Sequence, residues 1–293
     1  NLRFVRLPDQ KRVYVSRIDI DISTKFEDWI DRALLQVNQS DIEQMTLKDY
    51  SINERTGTIN QRDVVILDRD QDSWKANRMS STQEVDSTKF DALLKAIEEL
   101  SIVGVRPKPA GLSQNLSRAE GGEGISQADL LSLQSKGYYF TRDSNLVSNE
   151  GELEIRSSQG VVYTLRFGEI LYGTGDSVTA GTDTSNEDDQ EQGPGENRYL
   201  FITASFDPNR FPEPAQTNDT DFLNKPEDDW TDTDRKNKEL KDNHDEWLRK
   251  VEEGRELSDR LNTRFADWYY VISSSSFDKV HLKRSDLIKT KEG

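Results

Sequence analysis

The stretch RFADWYYVISSSSFDKVHLKRSDLI, residues 264–288, has an imperfect echo in KFEDWIDRALLQVNQSDIEQMTLKDY, residues 25–50. Each copy contains Phe-x-Asp-Trp, then an apolar stretch typical of a helix, then serine followed by alternating apolar residues typical of a strand. Strand-like runs precede both copies, at 12–18 and at 198–206. The echo predicts one α/β unit used twice. Internal repetition describes architecture and carries no chemistry.

Composition limits the function classes open to this chain of 293 residues. Its formal net charge of -16 would repel a nucleic-acid backbone, because phosphate binding depends on Lys and Arg. The same charge argues against direct adsorption to an anionic lipid surface, which takes clustered basic residues. The absence of cysteine excludes disulfides, a thiolate nucleophile and zinc–cysteine sites. We therefore expect no nucleic-acid partner.

Residues 1–110 are predicted to form the first of two related halves. A helix is expected over 24–37, from apolar residues at i, i+3, i+4 and i+7, followed by a strand over 41–48. Asp86 is a candidate N-cap for an amphipathic helix whose apolar stripe runs through 90–100. Prolines after residue 105 then forbid further helix, so the first half ends there.

Residues 111–125 are predicted to be a connector, and 126–293 the second half. The clearest hairpin in the chain spans 151–167, where apolar residues alternate with charged ones. Residues 173–196 contain no Lys or Arg and many acidic residues, which predicts a flexible hairpin tip. A second irregular loop is expected over 208–234. A long helix follows it, with a possible bend at Gly254.

These patterns predict an α+β fold. It would consist of two pseudo-repeated halves, with antiparallel or mixed sheets each covered by helices on one face, and a long C-terminal helix. Trp29 and Trp268 of the repeated motif are expected to be buried anchors between helix and sheet. An exposed ligand platform is the alternative reading of the same pair.

No catalytic, cofactor-binding or metal-binding residues emerge from the motifs. His244 and His281 are the two histidines, and both are interpreted as structural because no nucleophile motif accompanies them. The acidic run beginning at Asp232 lacks the EF-hand spacing, since Lys236 stands where a ligand belongs and no glycine follows. The glycine clusters match neither the dinucleotide-binding nor the Walker pattern. We therefore predict no cofactor.

A succession of motifs along the chain resembles a bacterial family of unknown function. The segments that carry the likeness are Val13-Tyr14, Phe26–Leu35, Asp41-Ile42, the Trp74 strand, Phe90–Leu100, Glu150–Leu153, Tyr163–Gly168 and Asn197–Phe201. The resemblance implies an α/β repeat domain that usually follows one N-terminal membrane helix. Some members are encoded near gliding-motility-type ABC transporter components. The family brings no catalytic residues, and this sequence shows no membrane helix, which leaves the anchoring open.

We therefore expect a non-enzymatic, extracytoplasmic binding or scaffold module of a membrane-anchored bacterial protein, accessory to an ABC-transporter-type complex. Its partners would be proteins of that complex. Contact with the membrane would pass only through an N-terminal helix absent from this chain, which would hold the module on the periplasmic side of the cell membrane. The alternative is a hydrolase whose active site assembles from carboxylates. A buried Asp/Glu pair in a deep pocket would favour the hydrolase, and shallow surfaces the module.

Overall fold

The computed structural model of the chain describes residues 2–17, 23, 28–31, 33–53, 56, 58–71, 73–109, 112, 125–141, 145–173, 195–217 and 219–291. These residues belong to two compact units, Asn1–Arg32 and Ala33–Gly293. In the first unit, β1 (Leu2–Val5) pairs antiparallel with β2 (Tyr14–Arg17), and Phe4 lies opposite Val15.

The second unit is built on one eight-stranded antiparallel sheet. In sheet order its strands are β5 (Ser73–Ala76), β4 (Thr58–Asp70), β3 (Ile42–Asn53), β10 (Glu152–Ser157), β11 (Val161–Tyr172), β12 (Glu196–Phe206), β13 (Trp268–Ser273) and β7 (Gly104–Pro107). Two small sheets accompany it: β6 (Gln83–Val85) with β14 (Ile288–Thr290), and β8 (Tyr138–Phe140) with β9 (Leu146–Ser148).

The α-helices of the described residues all belong to the second unit. They are α1 (Ser87–Glu98), α2 (Gln127–Ser135), α3 (Asp232–Phe265), α4 (Ser274–Val280) and α5 (Arg284–Leu287). The 34 residues of α3 confirm the predicted long C-terminal helix. The Asp86 side chain accepts a hydrogen bond from Lys89 N at 3.2 Å, so the predicted N-cap of α1 is also confirmed.

Alternation of apolar and charged residues gives the large sheet two different faces. Leu47 and Leu153 lie opposite each other on β3 and β10, and both are buried. The next row, Lys48, Glu152 and Arg166, points to the other face because successive side chains of a strand alternate. One face is therefore apolar, and much of the other carries charge.

Helices cover the apolar face. The Phe90 ring of α1 lies 4.6 Å from the Trp74 ring, and the Phe277 ring of α4 lies 5.3 Å from that of Phe167. An apolar sheet face covered by amphipathic helices confirms the α+β fold class. The opposite face is also covered in part, since Tyr138 of β8 packs 4.5 Å from Phe201 in a cluster that includes Leu133 of α2. Helices were expected on one face of the sheet only, whereas the structure also places α2 in the cover of the other face.

The two predicted halves share a single sheet instead of carrying one each. β3, β4, β5 and β7 come from 1–110, and the other four strands come from 126–293. β7 lies at the far edge, next to β13 and away from the other strands of its half. Pairing between strands distant in sequence is not encoded in local periodicity, which explains why the prediction divided the sheet. The half boundaries at 110 and 126 stay predictions.

The described parts of the echoed segments adopt different structures; residues 24–27 and 32 of the predicted first helix lie outside the described residues. The described residues 28–31 and 33–38 form no α-helix, and the positive φ of 55° at Gln36 interrupts any helical run there. The later segment, 275–283, forms helix α4 and a following turn in place of the predicted strand. The Ser273 hydroxyl accepts from Ser276 N at 3.1 Å, so the serine run starts a helix as an N-cap.

Two predicted loops fall largely outside the described residues. Of the connector, 111 and 113–124 are not described, and of the acidic hairpin tip, 174–194 are not described. The hairpin itself is confirmed, because β11 and β12 pair antiparallel and Gly173 N donates to Gly195 O at 3.1 Å. The described part of 208–234 contains short 3-10 turns and leads into α3.

Candidate functional site

The start of α3 is fixed by a capping box. The Thr231 hydroxyl accepts from Asp234 N at 3.2 Å, and the Asp234 carboxylate accepts from Thr231 N at 2.9 Å. Lys225 of the preceding loop donates to the same carboxylate at 2.9 Å. Hydrogen bonds from Thr231 and Lys225 lower the pKa of Asp234 to about 2, because they favour its charged form. The loop and the helix are thereby joined.

Gly254, in the middle of α3, allows the helix to lie against the sheet. A Cβ built on Gly254 would lie 2.5 Å from Gln159 O and 2.5 Å from a ring carbon of Phe206. The Gln159 carbonyl belongs to the tight turn between β10 and β11, and Phe206 stacks on Phe211 with centroids 6.2 Å apart. The glycine therefore permits close contact between helix and strand. Any larger residue would move the helix outward.

The side chain of Asn262 completes this contact farther along α3. Its amide oxygen accepts from Ala204 N at 2.9 Å, and its amide NH2 donates to Ala204 O. β12 pairs with β13 only over 197–200, so the outer edge of β12 is open at Ala204. Asn262 thus satisfies backbone groups that a neighbouring strand would otherwise bind.

An open cleft of about 560 Å³ runs beside Gly254. We call it the helix cleft. Its lining comes from the β10–β11 turn, from Phe211 and from α3, including Arg249, Lys250, Glu253, Leu257 and Arg260. Phe211 and Leu257 contribute apolar surface, and charged residues of both signs line the cleft with them. Arg249 is bound to Glu253 at 3.0 Å, an i,i+4 pair that stabilises the helix surface.

A second cleft, of about 510 Å³, lies at one end of the large sheet. Its arginines already have partners. Arg69 donates to the backbone carbonyls of Ser40 and Ile42, at 2.6 and 3.2 Å. Arg156 binds the Asp207 carboxylate at 2.6 Å, and Arg210 pairs with Glu43. A charged ligand would have to break these ion pairs in order to bind. The second cleft is therefore a weaker candidate than the helix cleft.

The charged row on the open sheet face brings two carboxylates together. Lys48 Nζ lies 2.7 Å from Glu152 and also pairs with Glu154, and Arg166 lies 3.4 Å from Glu152. Burial lowers the pKa of Lys48, but its hydrogen bonds to the two glutamates raise it more. The cavity beside this row measures about 10 Å³, which is room for about one water molecule. The row therefore serves to join three strands.

The two histidines lie apart and make different contacts. His281 Nε2 lies 2.8 Å from Glu150 O, and its ring stacks on Phe277 at 4.6 Å. Burial lowers the pKa of His281, because it disfavours the charged imidazolium. His244 lies 3.5 Å from Glu213 and 5.3 Å from the Trp247 ring. Among the described residues, no three His, Asp or Glu side chains are placed to hold a metal ion.

The two motif tryptophans are not core anchors. Trp29 is 63% exposed and Trp268 is 42% exposed, so the predicted burial of this pair was wrong. The Trp29 indole N–H donates to Ser23 O at 2.7 Å, and Trp268 begins the strand β13 opposite Pro107. Sequence spacing placed Phe and Trp on one helical face, but neither tryptophan lies in a helix.

The sequence predicts no site residue, and it does not reveal the helix cleft. The one local signal of the cleft is Gly254, a glycine inside an otherwise helical stripe, from which the sequence predicts only a bend. A glycine inside an element also marks close approach of another backbone, and this is how Gly254 is used. No helix of the described residues is long and apolar enough to span a membrane.

Comparison with protein families gave a match for the N-terminal part of the chain. Neither the curated proteins nor the solved structures contained a match. The matched region covers the hairpin β1–β2 and the chain through β7, and the match supports the sequence-based expectation of a family whose function is unknown. Residues 1–115 of this protein match a domain of unknown function, DUF4340.

Proposed function

We propose that this chain is a non-enzymatic binding or scaffold module that holds another protein along α3. The observation that carries the proposal is the helix cleft, which is lined by apolar surface from Phe211 and Leu257 together with charges of both signs. Protein interfaces have this composition: aromatic residues and arginine at the centre, with a polar rim. A partner segment with an apolar side chain and an acidic neighbour would fit the cleft.

The exposed surface of α3 supports the same proposal. The helix is 34 residues long, and its outward side carries i,i+4 ion pairs such as Lys238–Asp242 and Lys250–Glu246. Such ion pairs stabilise a helix whose outer side is exposed to solvent. The capping box and Gly254 hold it in one position on the sheet. A preformed, rigid surface binds at a lower entropic cost than a flexible one.

A carboxylate-based hydrolase is the less favoured alternative. It would need two carboxylates in different environments beside a pocket that admits a substrate. Glu152 and Glu154 are the pair that the sheet brings together, and both contact the same lysine, Lys48. The adjoining cavity of about 10 Å³ has no space for a substrate. Shallow, charged surfaces fit the binding module better.

We further propose that the module is part of a membrane-anchored protein on the extracytoplasmic side, accessory to an ABC-transporter-type complex. This part of the proposal rests on the family resemblance, not on the geometry of the chain. The anchor would be an N-terminal helix that is not part of this sequence. Fractionation of cells that produce the complete gene product would test it, and recovery in the soluble cytoplasmic fraction would contradict it.

The role of the helix cleft can be tested by site-specific cross-linking. A photo-reactive amino acid at Leu257, in the cleft, is compared with one at Leu248, which is on the same helix and 47% exposed. We expect a discrete cross-linked protein from position 257 and none from position 248. Charge reversal of Arg260, which lines the cleft, should weaken that product. Equal labelling from both positions would contradict the proposal.

A further inference from the structure

The N-terminal hairpin exposes apolar side chains to an unusual degree. Of the thirteen large apolar side chains that are exposed among the described residues, six lie between Leu2 and Val15. Phe4 is 80% exposed and Leu2 70% exposed, and Phe4 lies opposite Val15 on one face of the two-stranded pair. A two-stranded hairpin is only marginally stable by itself in water. We therefore expect another surface to cover this apolar face.

The same hairpin is strongly basic in an acidic protein. Residues 2–17 contain five basic side chains and one acidic one, a net charge of +4, whereas the whole chain carries -16. The basic residues are Arg3, Arg6, Lys11, Arg12 and Arg17, and all five are exposed. At physiological ionic strength charges farther than about 8 Å are largely screened, so the local charge decides what the hairpin attracts.

The size of the hairpin favours a lipid surface over a protein partner. Its strands have four residues each, so the paired face is roughly 13 Å long and roughly 10 Å wide. A stable protein interface takes about 800 Å² from each partner, several times this area. A membrane surface requires no matching shape, because each apolar side chain inserts and each basic side chain contacts phosphate by itself.

We propose that the hairpin Leu2–Arg17 binds directly to anionic lipid headgroups. Phe4, Leu2 and Val15 enter the interfacial region. Arg17, on the same face, and the basic residues between the two strands contact the phosphates. The net charge of the chain had argued against such adsorption, but the basic residues are clustered in one small unit. The residues that would bind lipid all belong to the hairpin, so this inference does not rest on the helix cleft.

Vesicle flotation tests the charge requirement. The full chain is mixed at low salt with vesicles of phosphatidylglycerol and phosphatidylcholine, or of phosphatidylcholine alone. We expect flotation with the anionic vesicles only, and its loss in 0.5 M salt. Arg17 lies opposite Leu2, on the same face as Phe4 and Val15, whereas Arg3 alternates to the other face. Each basic residue near an anionic membrane contributes about a fivefold change in partitioning, so the double variant Arg6→Gln/Arg17→Gln should bind about 25-fold more weakly. The matched control Arg235→Gln/Lys236→Gln, on exposed sites of α3, should bind like the parent.

A single fluorescent label tests the insertion of the apolar side chains. The chain has no cysteine, so Phe4→Cys provides a unique attachment point for an environment-sensitive dye. Its emission should shift to the blue with anionic vesicles, whereas the same dye at Leu131→Cys, at a site 60% exposed, should not shift. Failure of the wild type to float, equal weakening by the α3 control, or no shift at position 4 would each overturn the proposal. Salt-sensitive self-association without flotation would overturn it in favour of a second copy as the occupant.

Discussion

Replacing Gly254 by alanine tests the close packing of α3 on the sheet. Helix propensity alone would make alanine more stable than glycine by about 1 kcal/mol. The added Cβ, however, would lie 2.5 Å from both Gln159 O and Phe206, where ordinary contacts need at least 3.4 Å. The helix must therefore move outward by about 1 Å, and overpacking of this kind costs roughly 1–3 kcal/mol.

The outward movement has a second consequence farther along α3. It pulls Asn262 away from Ala204, whose backbone N–H it accepts at 2.9 Å. Loss of that pairing leaves buried polar groups unsatisfied, at about 1–3 kcal/mol. After subtracting the propensity gain, we expect Gly254→Ala to destabilise the protein by about 1–5 kcal/mol.

Urea unfolding followed by circular dichroism measures this difference directly. Asn243→Ala, on the exposed side of α3, serves as the control because it changes helix propensity without a packing contact. We expect this control to be neutral or slightly stabilising. A Gly254→Ala variant that is more stable than the parent by about 1 kcal/mol would refute the reasoning, because propensity would then outweigh packing.

Three further predictions concern α3 and the tryptophans. Asn262→Ala should lower the unfolding free energy by about 1–3 kcal/mol in urea titrations, because it leaves the edge of β12 unpaired; an unchanged midpoint would show that water replaces the amide. Asp234 stabilises the fold fully above its unfolded pKa of 3.8, and this contribution is lost as pH falls to about 2. The melting-temperature gap between wild type and Asp234→Asn should therefore shrink from pH 5 to pH 2, and a constant gap would contradict the assignment. Trp29→Ala and Trp268→Ala should each lower the unfolding free energy by less than about 1 kcal/mol, against about 3–5 kcal/mol for the buried Phe90→Ala. The fluorescence of these two tryptophans in the wild type should be strongly quenched by iodide, and losses of stability as large as that of Phe90→Ala would refute their exposure.

Part of this fold follows from local sequence. Alternation of Leu153 and Ile155 with charged residues predicted a half-buried strand, and β10 has that pattern of burial. Asp86 before an apolar stripe predicted the start of α1, because a side-chain oxygen there accepts a free helical N–H. Such signals depend on neighbours within a few residues, so they can be recognised in a single sequence.

The candidate site depended on contacts between distant residues. The helix cleft forms because α3 lies against the β10–β11 turn, and Gln159 is almost one hundred residues from Gly254. The residue pattern of neither segment indicates that the two segments come into contact. The basic residues of the hairpin are visible in the sequence, but the strongly negative net charge of the whole chain drew attention away from them. Only the exposure of the hairpin in the structure made it a candidate for binding.

The sequence by itself determined the fold class, the hairpin at 151–167 and the long C-terminal helix, because alternation and capping act locally. The tertiary structure alone decided that strands from both ends of the chain share one sheet, with β7 at its far edge beside β13. It also decided that Trp29 and Trp268 of the echoed motifs are exposed and that the described parts of the two echoed segments differ in structure. The physical reason is that strand order and burial are set by packing between segments distant in sequence, whereas a repeated motif specifies only its own side chains.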